Sequence, residues 1–233
     1  MGDLERYATL LRVGAVAALG TVVVTVTQVV AFAVWPPPSF LPTPSAAVRF
    51  FEIAQARPVL AFVQLDGLML LDYLLLILVY LALFVVLRRD NPSIMVIGAV
   101  LALMAITLYF AVNPAPAMLV LAGQYGAATP AARVSIVSAG VSTLATFQGA
   151  AFLVHYVVMG IAGVLVSLVM LRGAVFSRAT ALAGLLQGVM MLVPSNFGLV
   201  GMVLALVSLA PFVVWFALIA LRLWRLARDA QMP

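Results

Sequence analysis

Asp66, Asp72 and His155 are the side chains best placed to do chemistry, because each stands within a long apolar stretch of the chain. A carboxylate at the centre of a membrane helix costs about 2.5–3.5 kcal/mol on insertion scales, so something beside it must compensate, and proton or cation binding is the first chemistry to ask of it. For Asp72 the structural alternative is a protonated carboxyl hydrogen-bonded to a neighbouring helix. On a single helix, the six-residue separation of Asp66 and Asp72 leaves them about 120° apart, which excludes a shared-proton dyad on one face. Tyr73 and Tyr80 follow Asp66 by seven and fourteen residues, so on that helix all three share a face. They form either a ligand-lining stripe or packing tyrosines whose hydroxyls bond neighbouring helices. His155 is the one side chain able to titrate near neutral pH. An Asp66–His155 pair and a histidine bonded to an interfacial hydroxyl are the two arrangements open to it.

The elements that carry these groups are set by composition. Of 233 residues, 66% are hydrophobic and 8% charged, more apolar surface than a soluble domain of this size hides, so the chain reads as an all-α polytopic membrane protein. The net charge of +5 comes from arginines spaced along the chain at the ends of apolar stretches, as in anchors facing anionic lipid. No contiguous basic face exists for a nucleic acid. Cysteine and lysine are absent, which excludes disulfides, thiolate chemistry and Schiff bases to retinal or pyridoxal. One histidine cannot build a bis-histidine haem site or a three-histidine zinc site. No nucleophile elbow, nucleotide loop or metalloprotease helix is present. No cofactor is expected, and an enzyme is not the leading expectation.

Six spans fit the pattern, at 13–35, 59–87, 94–112, 149–171, 179–193 and 199–221. A span needs about 20 residues; the second is therefore long, and the fifth short enough to borrow from its flanks. Ala31-Phe32-Ala33 imitates a leader cleavage site, but the 23-residue run from Val13 to Trp35 exceeds the about 7–15 residues of a leader's apolar region, so an uncleaved first span is expected. With both termini inside, nine arginines are cytoplasmic and three external, Arg49, Arg57 and Arg133, and the positive-inside rule selects this orientation.

Two external segments are too long to be plain loops. In 36–58, prolines enforce an extended path, after which Ser45 caps a short helix suited to the membrane interface. In 113–148, a helix over 117–128 is interrupted at Thr129-Pro130, and Ser135, Ser138, Ser142, Thr146 and Gly149 form a small-residue stripe that lets another helix approach. Residues 134–171 are too long for one crossing, so an external cap or a re-entrant piece must precede the fourth span. Gly184 with Gly188, and Gly163 with Ser167, are small pairs suited to packing inside the bundle.

In this orientation Thr25, Thr27, Gln28, Gln64, Asp66, Thr107, Asn113, His155 and Gln187 fall toward the external side and Asp72 reaches the midplane, while the cytoplasmic halves are aliphatic and aromatic. A through-pore would need polar lining on both sides. The asymmetry points to an outward-facing pocket with Gln28, Asp66, Asp72, Tyr73, Asn113, His155 and Gln187 as candidate lining residues and 113–148 as its lid.

Several strings have a familiar form: Gly160-Ile161-Ala162-Gly163-Val164-Leu165, Met170-Leu171-Arg172, Phe176-Ser177-Arg178, Gly184-Leu185-Leu186, and Asp72-Tyr73-Leu74-Leu75-Leu76 with Leu87-Arg88-Arg89. With Asn113, Leu119, Leu121 and Tyr125, they resemble an uncharacterised bacterial family of small multi-span proteins, catalogued as domain of unknown function 4386. The resemblance spans roughly 66–192 and implies fold and topology only. Where that family often carries a proline before the basic residue of the turn, this chain has Ser177 before Arg178. The expectation is one integral domain over 1–233 in the bacterial cytoplasmic membrane, acting as a binding or accessory module for an apolar ligand or lipid. Its partners would be membrane lipids or other membrane subunits. A small proton-coupled transporter using Asp72 and a lipid-modifying enzyme are the alternatives.

Overall fold

Prolines with capping residues start most of the shorter helices. The structure, a computed structural model, describes residues 5–230. Among these residues every regular element is helical: α1 (Ala8–Val34), α2 (Pro44–Ala56), α3 (Pro58–Gln64), α4 (Leu68–Leu87), α5 (Pro92–Val112), α6 (Ala115–Ala127), α7 (Pro130–Phe147), α8 (Ala150–Arg172), α9 (Arg178–Met190) and α10 (Gly198–Asp229). Proline at the first helical position loses nothing, since that amide has no partner within the helix. It stands there in α2 and α7, whose caps Thr43 and Thr129 accept from the amides of Ala46 and Ala132. The cap of α2 is thus Thr43 and not the expected Ser45, because Pro44 occupies the first helical place. Asn113 Oδ1 accepts from the Ala115 amide at 3.0 Å, which starts α6 two residues before the expected 117.

Five helical stretches are long and apolar enough to cross a membrane: Ala8–Val34, Leu68–Leu87, Pro92–Ala127, Pro130–Arg172 and Gly198–Asp229. The expected second span, 59–87, is not one helix. It breaks at residues 65–67 between α3 and α4, and the 20 residues of α4 alone make about 30 Å, the thickness of the hydrocarbon core. The long run through 134–171 breaks, as its length requires, at Gln148-Gly149 between α7 and α8. The expected fifth span is the 13-residue α9, about 20 Å long.

By its internal contacts the chain divides into two compact units. Among the described residues the first comprises 5–23, 72–107 and 154–230, the second 24–71 and 108–153.

In the first unit the close approaches give helix directions. Gly14 packs on Ala82 and Gly20 on Leu75, so α1 and α4 run antiparallel. Tyr73 meets His155, and Tyr80 meets Met159 further along, so α4 and α8 run parallel. Ala105 O meets His155 while Gly98 packs on Val166, making α5 antiparallel to α8. Gly160 packs on Gly188 and Ser167 on Gly184, so α9 opposes α8. Trp215 packs on Gly184, and Arg222 Nε donates to Val175 O at 2.6 Å, so α10 opposes α9. The same unit gathers basic groups at one end: Arg88 lies 5.4 Å from the centre of the Tyr7 ring, and a small cavity is lined by Asp90, Asn91 and Arg172.

In the second unit α2, α3, α6 and α7 enclose a core of Phe50, Phe51, Leu65, Met118 and Leu144. α2 therefore places its apolar face on α6 and α7, where a helix lying in the lipid interface was expected. The small-residue stripe of α7 is not used for packing among the described residues. Ser135, Ser138, Ser142 and Thr146 are exposed, and Gly140, Leu144 and Phe147 face inward instead, since burying the larger apolar side chains removes more area from water.

Candidate functional site

Within the second unit, the break between α3 and α4 is built around Asp66. Its φ of 62° is left-handed, a conformation that only glycine and, less readily, Asn or Asp adopt. The Gly67 amide donates to Phe62 O at 2.9 Å and the Asp66 amide to Val63 O at 3.1 Å, the paired bonds of a left-handed helix cap with Asp66 in the place usually taken by glycine. A side chain on Gly67 would run into the Phe62 carbonyl. Tyr109 donates to the Asp66 carboxylate at 2.5 Å, and Asn113 Nδ2 donates both to Asp66 O and to the Tyr109 hydroxyl, each at 3.1 Å. Asp66 lies in the turn ahead of the α4 span and is half-buried. Burial pushes its carboxyl up to about 6, against the lowering pull of the Tyr109 hydrogen bond. A strained backbone held through a half-buried carboxyl is the kind of place where proteins store function.

Beside this break, the second unit holds a cavity of about 500 Å³ between the proline strand and the α2–α3 junction. Its wall is Pro36–Pro38, its charged rim Arg49, Glu52 and Arg57, and Leu60 and Gln64 complete it. Gln64 is 5% exposed; its Nε2 donates to Trp35 O at 3.3 Å and Pro36 O at 3.1 Å. Two carbonyls against the same atom fix the amide orientation, because the flipped form would set oxygen against oxygen. Its Oε1 is buried with no hydrogen-bond partner among the described residues. Gln28 closes the neighbouring turn, donating to Val63 O at 3.0 Å.

In the first unit, the buried His155 has both ring nitrogens engaged. Nδ1 lies 3.0 Å from Ala105 O and Nε2 3.0 Å from the Tyr73 hydroxyl. A carbonyl only accepts, so Nδ1 carries the proton, and in the neutral ring Nε2 accepts from Tyr73. An imidazole so used on both sides positions helices and is poorly placed to take a ligand. The Tyr80 hydroxyl donates to Met159 Sδ at 3.6 Å, and Gln187 Nε2 to Met191 Sδ at 2.6 Å. Asp72, 2% exposed, is buried in α4.

The seven candidates from sequence divide between the two units. Asn113 joins Asp66 in the second unit, and Tyr73 joins His155 in the first. Gln28 and Gln187 bond within their own units. The stripe of Asp66, Tyr73 and Tyr80 is broken, because the helix on which it was drawn stops before Asp66; Tyr73 and Tyr80 keep a common face toward α8. Missing from the candidates are Tyr109, Gln64, Arg57 and the proline wall. Tyr109 had a signal, standing four residues before Asn113 and therefore on the same helix face.

No family model, no curated protein and no solved structure matches this chain.

Proposed function

We propose that the chain is a six-span protein of the bacterial cytoplasmic membrane, with both termini inside, that binds a lipid or lipid-like amphiphile in the cavity of its second unit. The cavity carries the reading: about 500 Å³ with a charged rim, apolar sides and a buried amide oxygen still able to accept suits a molecule with a polar head and an apolar tail. The alternating directions of α1, α4, α5, α8, α9 and α10 support six crossings, with α9 completed by its flanking residues. The basic groups gathered at one end of the first unit support a cytoplasmic assignment for that end.

Reporter fusions at Arg89 and Arg178 are expected to read cytoplasmic and one at Pro130 external; a cytoplasmic signal at Pro130 removes the six-span topology. For the binding role, the chain purified in mild detergent is expected to retain lipid at a fixed ratio. Ala56→Trp, which fills the cavity from its lining, should abolish that retention without lowering the melting temperature. Retention equal in wild type and Ala56→Trp rejects the cavity. No retained lipid, together with a proton flux in proteoliposomes that Asp72→Asn removes, replaces this reading with transport through the buried Asp72.

A further inference from the structure

We propose that the cavity selects an anionic glycerophospholipid of the phosphatidylglycerol type, its phosphodiester on Arg57 and a head-group hydroxyl donating to Gln64 Oε1. This rests on the cavity being a lipid site and adds which head it takes.

Charge comes first. The ionisable side chains of the lining are Arg49, Glu52 and Arg57. Arg49 Nη1 and Glu52 Oε2 pair at 3.2 Å, which cancels their charges locally. Arg57, at the junction of α2 and α3, has no ion-pair partner among the described residues. The cavity therefore offers one uncompensated guanidinium, whose planar fork matches two phosphate oxygens.

The second determinant is Gln64. Its nitrogen is committed to two backbone carbonyls and its oxygen to nothing among the described residues. A buried acceptor left unmade costs free energy, which a ligand donor recovers once the lining side chains that cover the oxygen give way. The proline wall cannot supply that donor, because proline has no N–H. Ile53, Ala56 and Leu60 provide the apolar side along which an acyl chain lies.

These two demands rank the common heads. Phosphatidylglycerol brings both net negative charge and a hydroxyl donor. Phosphatidylethanolamine brings a donor without net charge, and phosphatidylcholine brings neither. Phosphatidylmethanol carries the charge without the hydroxyl and separates the two determinants.

The test is native mass spectrometry of the full chain, titrated with these four lipids at equal acyl length, with glycerol 3-phosphate as a soluble competitor. Phosphatidylglycerol is expected to bind about tenfold or more tighter than phosphatidylcholine, and phosphatidylmethanol severalfold more weakly than phosphatidylglycerol. Arg57→Gln, an exposed position, should erase the preference for phosphatidylglycerol, weakening phosphatidylglycerol more than phosphatidylcholine, and leave the melting temperature unchanged. Arg57→Lys should restore part of it. Equal binding of all heads, unaffected by Arg57→Gln, overturns the head-group assignment and leaves the lipid site standing. Absence of any bound lipid overturns the site itself. Glycerol 3-phosphate competing as well as a short-chain phosphatidylglycerol makes the occupant a soluble phosphate ester and overturns the lipid assignment. Equal binding of phosphatidylmethanol and phosphatidylglycerol overturns the role of Gln64.

Discussion

Gly188→Leu is expected to abolish recovery of folded protein from the membrane. In the first unit a Cβ at this position would stand 2.9 Å from Gly160 O, from the Val164 amide nitrogen and from a Val164 methyl. Two of those neighbours are backbone of α8 and cannot move without shifting the helix. Overpacking a well-filled contact costs about 1–3 kcal/mol, and more where backbone must give way; against a total stability of about 5–15 kcal/mol that is decisive. Gly184→Leu meets Ser167 Oγ and the Trp215 indole and is expected to behave similarly. Gly123→Ala is the control: nothing lies within 4 Å of a Cβ there, so the change should be neutral or stabilise by up to about 1 kcal/mol. Monodispersity by size-exclusion chromatography and the melting temperature in detergent provide the readout. A Gly188→Leu protein that elutes and melts like wild type would show that the α8–α9 contact is not as close as described.

The second large effect is expected at Asp66. Asp66→Val forces a β-branched residue into left-handed backbone and leaves the Tyr109 hydroxyl only the more distant Asp66 carbonyl, at 3.4 Å, in place of the carboxylate. Together these cost about 2–5 kcal/mol. Asp66→Asn keeps an acceptor and a residue type that tolerates this backbone, so it should melt near wild type at neutral pH. The two differ again in pH dependence. In the folded protein the carboxyl is raised to about 6 from 3.8, so the native state holds its proton where the unfolded chain has lost it. The corresponding stability is complete below about pH 4 and is lost as pH rises through about 6, at no more than about 1.4 kcal/mol per pH unit, less for the part of the group that water reaches. Wild type should therefore lose thermal stability between pH 4 and 7 relative to Asp66→Asn, whose curve lacks this component. A difference that is flat, or that runs the other way, would mean that Asp66 is ionised throughout and that Tyr109 stabilises a carboxylate.

Much of the architecture was readable from one dimension because the bilayer imposes a one-dimensional rule: a stretch that crosses must be apolar and about 20 residues long. Helix content and the positions of most long helices follow from that rule and from proline, which writes its effect into its own neighbourhood. The break at Thr129-Pro130 was visible for this reason. The packing role of Gly184 and Gly188 was also legible, since two small residues four apart open one face of a helix.

What sequence could not locate depends on contacts between residues far apart in the chain. The break at 65–67 carries no proline, and its run of apolar residues reads as one continuous helix. It exists because Tyr109 and Asn113, more than forty positions away, hold Asp66 in a backbone that Asp adopts only with such support. Arg57 and Gln64 likewise look ordinary in sequence, an external arginine and one more polar residue in a span. Only folding shows that Arg57 has no ion-pair partner among the described residues, that Gln64 has spent its nitrogen and kept its oxygen, and that both line one cavity. Local pattern determines whether a segment is helical and apolar. Which polar atoms remain unpaired is a property of the packed whole, because each depends on what every neighbouring helix brings to it.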